Sequence, residues 1–499
     1  MSTHIIDLRV EHLVNPLGLD EAAPRFSWKL ADARSGAAQT AYQLEVSVGD
    51  SVIWDSGRVA SDNSVLLPYE GPALQAHTRY YWRVRVWDQD GTESAWSENA
   101  WFETGFLAPL TPWPAAEWIH RQIPASPADR PAVELRKKFR LAAAPREARL
   151  YITARGLFEP EVNGQRVGAD HLTPGWTDFR FRFEYLTYDV TEQLVAGENT
   201  LGARLADGWY CGFFGGRGIR DHYGKEPALY ATLRLVEADG SVRWIGTDSS
   251  WKTGLGPVVG ADLYDGEIYD ARIAPAKWQP ARVLSFPWLP LTAKAFGRVR
   301  TIEELKATTL AQPVKGSHVY DLGQNMVGSI RMRIRAPRGT RITIRYAEML
   351  EADGTLYTAN YRSAKSTDTY ICSGEGIETY EPRFTFHGFR YVELTGLKAK
   401  PRIDAIKGLV WHTDMTSTGS FECSDPLINQ LQSCIRWGQR GNFLEVPTDC
   451  PQRDERLGWT GDAQVFIPTA AFNYDVASFF RKWTRDLADG QYASGAYPE

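Results

Sequence analysis

The sequence predicts a multidomain protein in which all-β sandwich domains are followed by a shorter helical segment. Three observations carry this reading. The chain has 499 residues, more than one hydrophobic core usually serves, so three or four domains are expected. From the start to about residue 410, short runs alternate apolar and polar residues with a period of two, punctuated by turn residues. At about Trp411 the period changes to 3.6.

Residues 1–107 read as the first sandwich. Alternation is clear in Tyr42-Gln-Leu44-Glu-Val46-Ser-Val48 and in Tyr80-Tyr-Trp82-Arg-Val84-Arg-Val86, with turns at Gly49-Asp50 and Asp90-Gly91. Leu74 followed six residues later by Tyr80 resembles the tyrosine corner of fibronectin type III and related sandwiches. A Pro- and Ala-rich link beginning at Leu107 opens a second β region, 108–296, whose strand candidates include Val133–Phe139, Arg149–Ala154 and Asn199–Leu205, with an Asn163-Gly164 hairpin turn. The aromatic and glycine-rich loop from Asp207 to Arg217 either packs on its own sandwich or reaches over a neighbouring site. A third β region, 297–410, contains strand candidates at His318–Leu322, Gly328–Ile334 and Arg341–Tyr346. Its polar residues Arg345, Glu348 and His387 are expected to be satisfied core or interface groups.

Helices are expected in 411–499. Ser424 as N-cap and Pro426 in the first turn lead into an apolar stripe, Leu427, Ile428, Leu431, Cys434 and Ile435, ended near Gly441. A short helix from Asp462 is expected to be interrupted by Pro468. A third, capped by Asp475, carries Val476, Phe479, Phe480, Trp483 and Leu487, and closes at Gly490.

Composition narrows the classes. The net charge of −5 gives no reason to expect a nucleic acid or an anionic membrane as partner. The first ten residues lack an apolar signal region and no eighteen-residue apolar run occurs, so the cytoplasm is the expected location. Five scattered Cys without metal-type spacing are expected as free, buried thiols. Aromatic residues make up 12% of the chain, with 18 Trp, enough to fill sandwich cores and leave some for stacking on sugars.

The densest chemistry lies between Asn442 and Phe466. Asp449, Asp454, Glu455 and Asp462 alternate there with Arg453 and Arg456, while Pro447, Pro451, Gly458 and Gly461 forbid one continuous helix. Three readings compete. A solvated loop of mutually paired charges is the ordinary one, but it does not call for Trp459 between Gly458 and Gly461. A hard-cation site would use the carboxylates, yet the arginines compete for the same oxygens and the spacing is not that of a calcium loop. A sugar site uses carboxylates for hydroxyls, an indole face for the pyranose and one protonated carboxyl as acid. The third is favoured, with no metal and no cofactor.

The run Asp449-Cys-Pro-Gln-Arg453-Asp454-Glu455-Arg-Leu-Gly-Trp459-Thr-Gly-Asp462 resembles the signature of the bacterial α-L-rhamnosidases of glycoside hydrolase family 78. The resemblance implies an inverting glycosidase whose catalytic domain is an (α/α)6 barrel, here only begun. It implies that 108–296 is a jelly roll and 297–410 the concanavalin-like sandwich beside the barrel, on the motifs Asp321-Leu-Gly323-Gln-Asn325 and Phe386-His-Gly388-Phe-Arg390. It assigns Glu455 as general acid and Asp449, Arg453, Asp454, Trp459 and Asp462 to the pocket for the rhamnose of a rhamnose-containing glycoside. The general base is implied to lie downstream of residue 499, so none is named. Glu455 is expected to be protonated, through desolvation and nearby carboxylates, with Arg453 and Arg456 keeping the other acids ionised. The alternative from another class is a non-catalytic carbohydrate-binding or scaffold protein.

Overall fold

A computed structural model describes residues 3–122, 130–216 and 218–498. The first sandwich packs a three-stranded sheet (His4–Val10, Arg25–Ala31, Leu67–Pro68) on a five-stranded one built on Gln39–Val48 and Arg79–Asp88. Tyr42 pairs with Val86 and Leu44 with Val84, which turns Leu44, Val46, Trp82 and Val84 to one face, where they are buried against Phe26 and Trp28. The Tyr80 hydroxyl accepts from the Gln75 N–H at 2.7 Å, the expected tyrosine corner.

The second sandwich opposes a six-stranded and a seven-stranded sheet. Its hairpin turn has Asn163 at φ 53° and Gly164 at φ 76°, the left-handed pair that a two-residue turn requires. The third region is a single ten-stranded sheet centred on His318–Ile334, a 17-residue strand. That strand pairs with His387–Thr395, and its register breaks between Asp321 and Met326. The motif read around Gly323 is therefore an irregularity that throws Gln324 and Asn325 out of the ladder.

The sheets are not cut at residue 296 as the sequence led us to expect. Val258–Asp262 and Gly266–Asp270 already belong to the third sheet, where Ile268 runs parallel to Thr369, and the chain then returns to the second sandwich at Ala276–Pro280. Alternation announces a strand but not which sheet it joins.

Three helices follow: α1 (Pro426–Asn442), α2 (Thr460–Asn473) and α3 (Ala477–Asp489). The cap of α1 is Asp425 rather than Ser424, its carboxylate accepting from the Leu427 N–H at 2.8 Å. α2 runs through Pro468 instead of stopping there. Its far half is held by buried contacts, with Ala470 O accepting from Gln439 and Asn473 Nδ2 donating to Gln439 Oε1 at 3.0 Å, which offsets the bond that proline forfeits. The N-cap of α3 is Val476, which makes no side-chain cap bond, rather than the expected Asp475, although Asp475 accepts from Ala477 N at 3.3 Å.

The apolar stripe of α1 is present but largely uncovered. Leu427 is 78% exposed, Leu431 59% and Val465 of α2 77%, and the one buried residue of α1 is Gln439. α1 and α2 instead meet through amides, Gln432, Gln439 and Asn473, while α2 and α3 pack through Phe466, Ala470, Phe479 and Phe480. Of the five Cys, all unpaired, Cys211, Cys372 and Cys450 are buried, but Cys434 is exposed on this open face and Cys423 is half-buried. No helix among the described residues is long and apolar enough to cross a membrane.

The helical segment is clamped to the sandwiches. Arg182 of the second sandwich donates to Asp486 at 2.5 Å and Asp489 at 2.8 Å, and Arg9 of the first to Asp475 at 2.7 Å. One buried aromatic cluster runs from Tyr151 and Trp176 through Trp209, Tyr264 and Phe386 to Leu444, Val446 and Trp483. The stretch from Asn442 to Asp462 lies along this seam.

Candidate active site

The signature stretch leaves α1 through a tight two-strand turn, Phe443–Leu444 against Val446–Pro447. At its tip Glu445, wholly buried at φ 71°, is paired with Lys294 at 2.7 Å. The loop that follows is closed across its neck, Asp449 N donating to Leu457 O and Leu457 N to Asp449 Oδ1, both at 3.0 Å. This second bond fixes the Asp449 carboxylate.

Arg456 is the post on which the loop stands. It is buried, and its guanidinium donates to four carbonyls, Arg453 O and Gln452 O in the loop, Leu263 O and Phe386 O in the third sandwich, at 2.9–3.2 Å. The Tyr264 and Phe386 rings flank it, 4.8 and 4.7 Å from the guanidinium carbon. The expected role of Arg456, keeping acids ionised, is therefore not the one it has: it bonds no carboxylate among the described residues. Gly458 is also explained, since a Cβ there would lie 2.8 Å from Trp483 Nε1, whereas Gly461 faces open space.

On this support the loop brings Asp449, Glu455, Arg453 and Trp459 together. Oxygens of Asp449 and Glu455 and the Cys450 thiol lie within 4.8 Å of one another. The Arg453 guanidinium donates to Glu455 Oε2 at 2.9 Å and to Asp449 Oδ2 at 3.3 Å, and the Trp459 indole N–H to Glu455 Oε1 at 3.2 Å. With Arg453 between them, the two carboxylates already share a cation from the chain itself, which weakens the case for a metal ion at this trio.

The protonation pattern reverses expectation. Burial pushes the Glu455 carboxyl up, but the hydrogen bond and charge of Arg453, the Trp459 N–H and the charge of Arg362 outweigh it, and the group lies below the ordinary glutamate value. Burial, with Glu455 adding to it, raises Asp449. Cys450 is pushed up to about 12 by burial, so it is an inert thiol.

Asp449 lines two adjoining cavities. One, about 450 Å³, has Asp462 and Asn442 among apolar walls of Phe443, Val465 and Phe466. The other, about 440 Å³, is more polar, with Asn325, Glu348, Trp437 and Arg453. Asp462, exposed in the first turn of α2, faces the first. Asp454 does not line either cavity. It is buried, its Oδ2 accepting from Ser363 Oγ at 2.6 Å and Ser363 N at 3.3 Å, and it ties the loop to the third sandwich rather than lining a pocket as expected. His387, buried between Ser366 and Asp368, and Arg345, paired with Glu393, are satisfied groups; Glu348, bonded to Asn325, is at the cavity wall.

Sequence reasoning missed what other domains supply. Arg362 of the third sandwich donates to Glu455 Oε2 at 3.3 Å, and the Tyr264 hydroxyl donates to Glu455 O at 2.6 Å. The 207–217 loop does both things considered for it. Its single helical turn, Gly208–Cys211, is buried in its own sandwich with Trp209 stacked on Trp176 at 5.9 Å, while Gly215 forms a β-bridge to Glu455; Arg217 lies outside the described residues. Nothing in linear spacing ties 215, 264 or 362 to 455. The only sequence signal was the loop's unusual glycine and aromatic content.

Comparison with known proteins agrees along nearly the whole chain. Residues 5–108 match the Rha78A-like N-terminal immunoglobulin domain, 143–315 the α-L-rhamnosidase N-terminal domain, 311–412 the bacterial α-L-rhamnosidase concanavalin-like domain and 416–499 the bacterial α-L-rhamnosidase six-hairpin glycosidase domain. An α-L-rhamnosidase of Streptomyces avermitilis is 38% identical over 98% of this chain and 65% of its own length; one of Formosa agariphila is 39% identical over 98% and 55%. The crystal structure of the Streptomyces avermitilis enzyme complexed with L-rhamnose superposes with a TM-score of 0.93 at 37% identity, covering 99% of this chain and 66% of that one. Native α-L-rhamnosidase of Aspergillus terreus gives 0.93 at 39%, covering 98% and 58%. The chain belongs to the bacterial α-L-rhamnosidases, a family of glycosidases, and spans between about half and two thirds of the length of these relatives.

Proposed function

We propose that this site releases terminal α-L-rhamnose from rhamnose-containing glycosides with inversion, Glu455 serving as general acid. The observation that carries the reading is the Glu455 carboxylate, held by an indole N–H and set within 4.8 Å of the Asp449 carboxylate, which lines a cavity together with Asp462; Glu455 and Trp459 themselves line neither of the two cavities. Glu455 protonates the glycosidic oxygen as its bond to the anomeric carbon breaks. Asp449 and Asp462 steady the positive charge that develops on the ring, Arg453 binds hydroxyls, and Trp459 offers an apolar wall to the methyl of a 6-deoxy sugar. Because Arg453 and Arg362 hold Glu455 ionised at rest, the bound sugar must shift the balance by excluding water and engaging Arg453. Inversion needs a second carboxylate about 6.5–9.5 Å from the acid to activate water; we assign that role to no residue of this chain.

The three helices are, on this reading, the start of an (α/α)6 array, and further helices of that array cover the exposed face of Leu427, Leu431 and Val465. Support comes from the six-hairpin family match over 416–499.

A second reading, a carbohydrate-binding or scaffold protein that seats rhamnose without cleaving it, is favoured by the depressed Glu455 pKa, which is wrong for a resting acid. Release of 4-nitrophenol from its α-L-rhamnoside, measured beside calorimetric binding of methyl α-L-rhamnoside, separates the two. We expect release that Glu455→Gln abolishes while binding persists. Binding without release by the unmodified chain supports the second reading; near-normal release by Glu455→Gln refutes the first.

A further inference from the structure

Glu455 carries its carboxyl on a backbone that few side chains tolerate. It sits at φ 131°, and the next residue, Arg456, at 49°, two successive positive values that residues with a Cβ rarely adopt and that persist only where the surroundings enforce them. The peptide plane between the two is where the loop can relax, since turning it over changes only ψ of Glu455 and φ of Arg456. The carbonyl of that plane is the Glu455 oxygen.

Tyr264 holds this oxygen, its hydroxyl donating at 2.6 Å. Its ring lies 4.8 Å from the Arg456 guanidinium carbon, so one side chain meets both strained residues. Tyr264 stands at the turn between Val258–Asp262 and Gly266–Asp270, the excursion that takes the chain from the second sandwich into the third sheet. It is 4% exposed, its N–H donates to the Asp262 carboxylate at 2.8 Å and its carbonyl accepts from the Ser366 N–H at 3.0 Å. The other Asp262 oxygen accepts from Phe213 N at 2.9 Å, which ties in the loop whose Gly215 bridges to Glu455. The phenol therefore has a fixed place from which to hold.

What it holds decides where the carboxyl points. Glu455 meets Arg453 from its own loop, Trp459 at the start of α2 and Arg362 from the third sandwich, with Asp449 and Cys450 alongside. With the plane released, φ of Glu455 can return to negative values, and that rotation swings Cβ away from these donors. We propose that Tyr264 is the positioning residue of the acid: its hydroxyl locks the peptide between Glu455 and Arg456, and with it the backbone that aims the Glu455 carboxyl at Arg453 and Trp459. The role of Glu455 as acid rests on the function proposed above; the hold on its backbone does not.

The test compares two variants. Tyr264→Phe keeps the ring against Arg456 and removes only the hydroxyl, whereas Ser363→Ala removes a tie from the third sandwich to Asp454, the residue before Glu455. Followed by carbon NMR, the Glu455 carboxyl of Tyr264→Phe is expected to titrate at higher pH than in the unmodified chain, because Arg453, Trp459 and Arg362 no longer reach it. The Trp459 indole N–H signal is expected to shift with the loss of its acceptor. Ser363→Ala lowers the melting temperature and leaves both signals in place. A Tyr264→Phe chain that melts lower with both signals unmoved has lost only packing, and this overturns the proposal; so does an equal shift in the two variants, the mark of general loosening. Calorimetric titration of the unmodified chain with L-rhamnose keeps the two readings apart. Failure to bind removes the site reading alone, while the hold of Tyr264 on Glu455 is decided by the NMR pair.

Discussion

Glu455 has donors on three sides, the Arg453 and Arg362 guanidiniums and the Trp459 indole, and its ionisation follows from which of them it keeps. Its pKa is depressed, so its contribution to stability is present above the unfolded carboxylate value and is lost as pH falls through the lower folded value. Asp449 is raised by burial, so its contribution has the opposite sign and fades as pH rises through its folded value. Arg453→Gln removes the largest stabilising partner of the Glu455 anion. We expect the Glu455 carboxyl signal, followed by carbon NMR, to titrate at higher pH in that variant; an unchanged or lower midpoint would show that Arg453 does not set it. The residue chemistry was partly legible in sequence. The alternation of acids and arginines announced a shared cation, and Trp459 announced more than a solvated loop. What could not be read was which arginine did what, because Arg453 and Arg456, three residues apart, differ only in that one points at carboxylates and the other at buried carbonyls.

At the scale of elements, strands were well announced and their partners were not. Gly266–Asp270 looks like any half-buried strand, yet it carries Glu267 into the third sheet, where the wholly buried carboxylate accepts from the Tyr380 hydroxyl at 3.1 Å and from the N–H groups of Arg383 and Phe384. Burial, reinforced by Asp368, pushes its pKa up to about 7. A raised carboxyl contributes stability that is full below its unfolded value and is lost as pH rises through the folded one. The melting temperature should therefore fall between about pH 5 and about pH 8 by more than surface charge explains, and Glu267→Gln should flatten that slope. A slope identical in the variant would rule this element out as its source. Helix existence was equally legible, but facing was not. Periodicity reports that one face of α1 is apolar, not that anything covers it. Pro468 was read as a stop because propensity is local, whereas the Gln439 and Asn473 contacts that carry α2 past it are not.

At the scale of the molecule, the site exists because three sandwiches meet the helical segment. Lys294 and Trp176 from the second sandwich grip the Glu445 turn, Leu263 and Phe386 of the third hold Arg456, and the first sandwich reaches α3 through Arg481, which donates to Glu21 at 2.8 Å. A buried ion pair such as Lys294–Glu445 is chiefly a device of registry, since breaking it strands a charge at about 3–5 kcal/mol while forming it gains little. It fixes where the loop begins. From there the neck bonds at Asp449 and Leu457 fix where its carboxylates end. We propose that this seam seats one deoxyhexose in the cavity that Asp449 and Asp462 line, with Trp459 alongside. Calorimetric titration of the chain with L-rhamnose tests that directly: saturable binding at a single site is predicted, weakened about tenfold or more in both Asp449→Asn and Trp459→Ala. Rhamnose affinity that is the same in both variants as in the unmodified chain would contradict it.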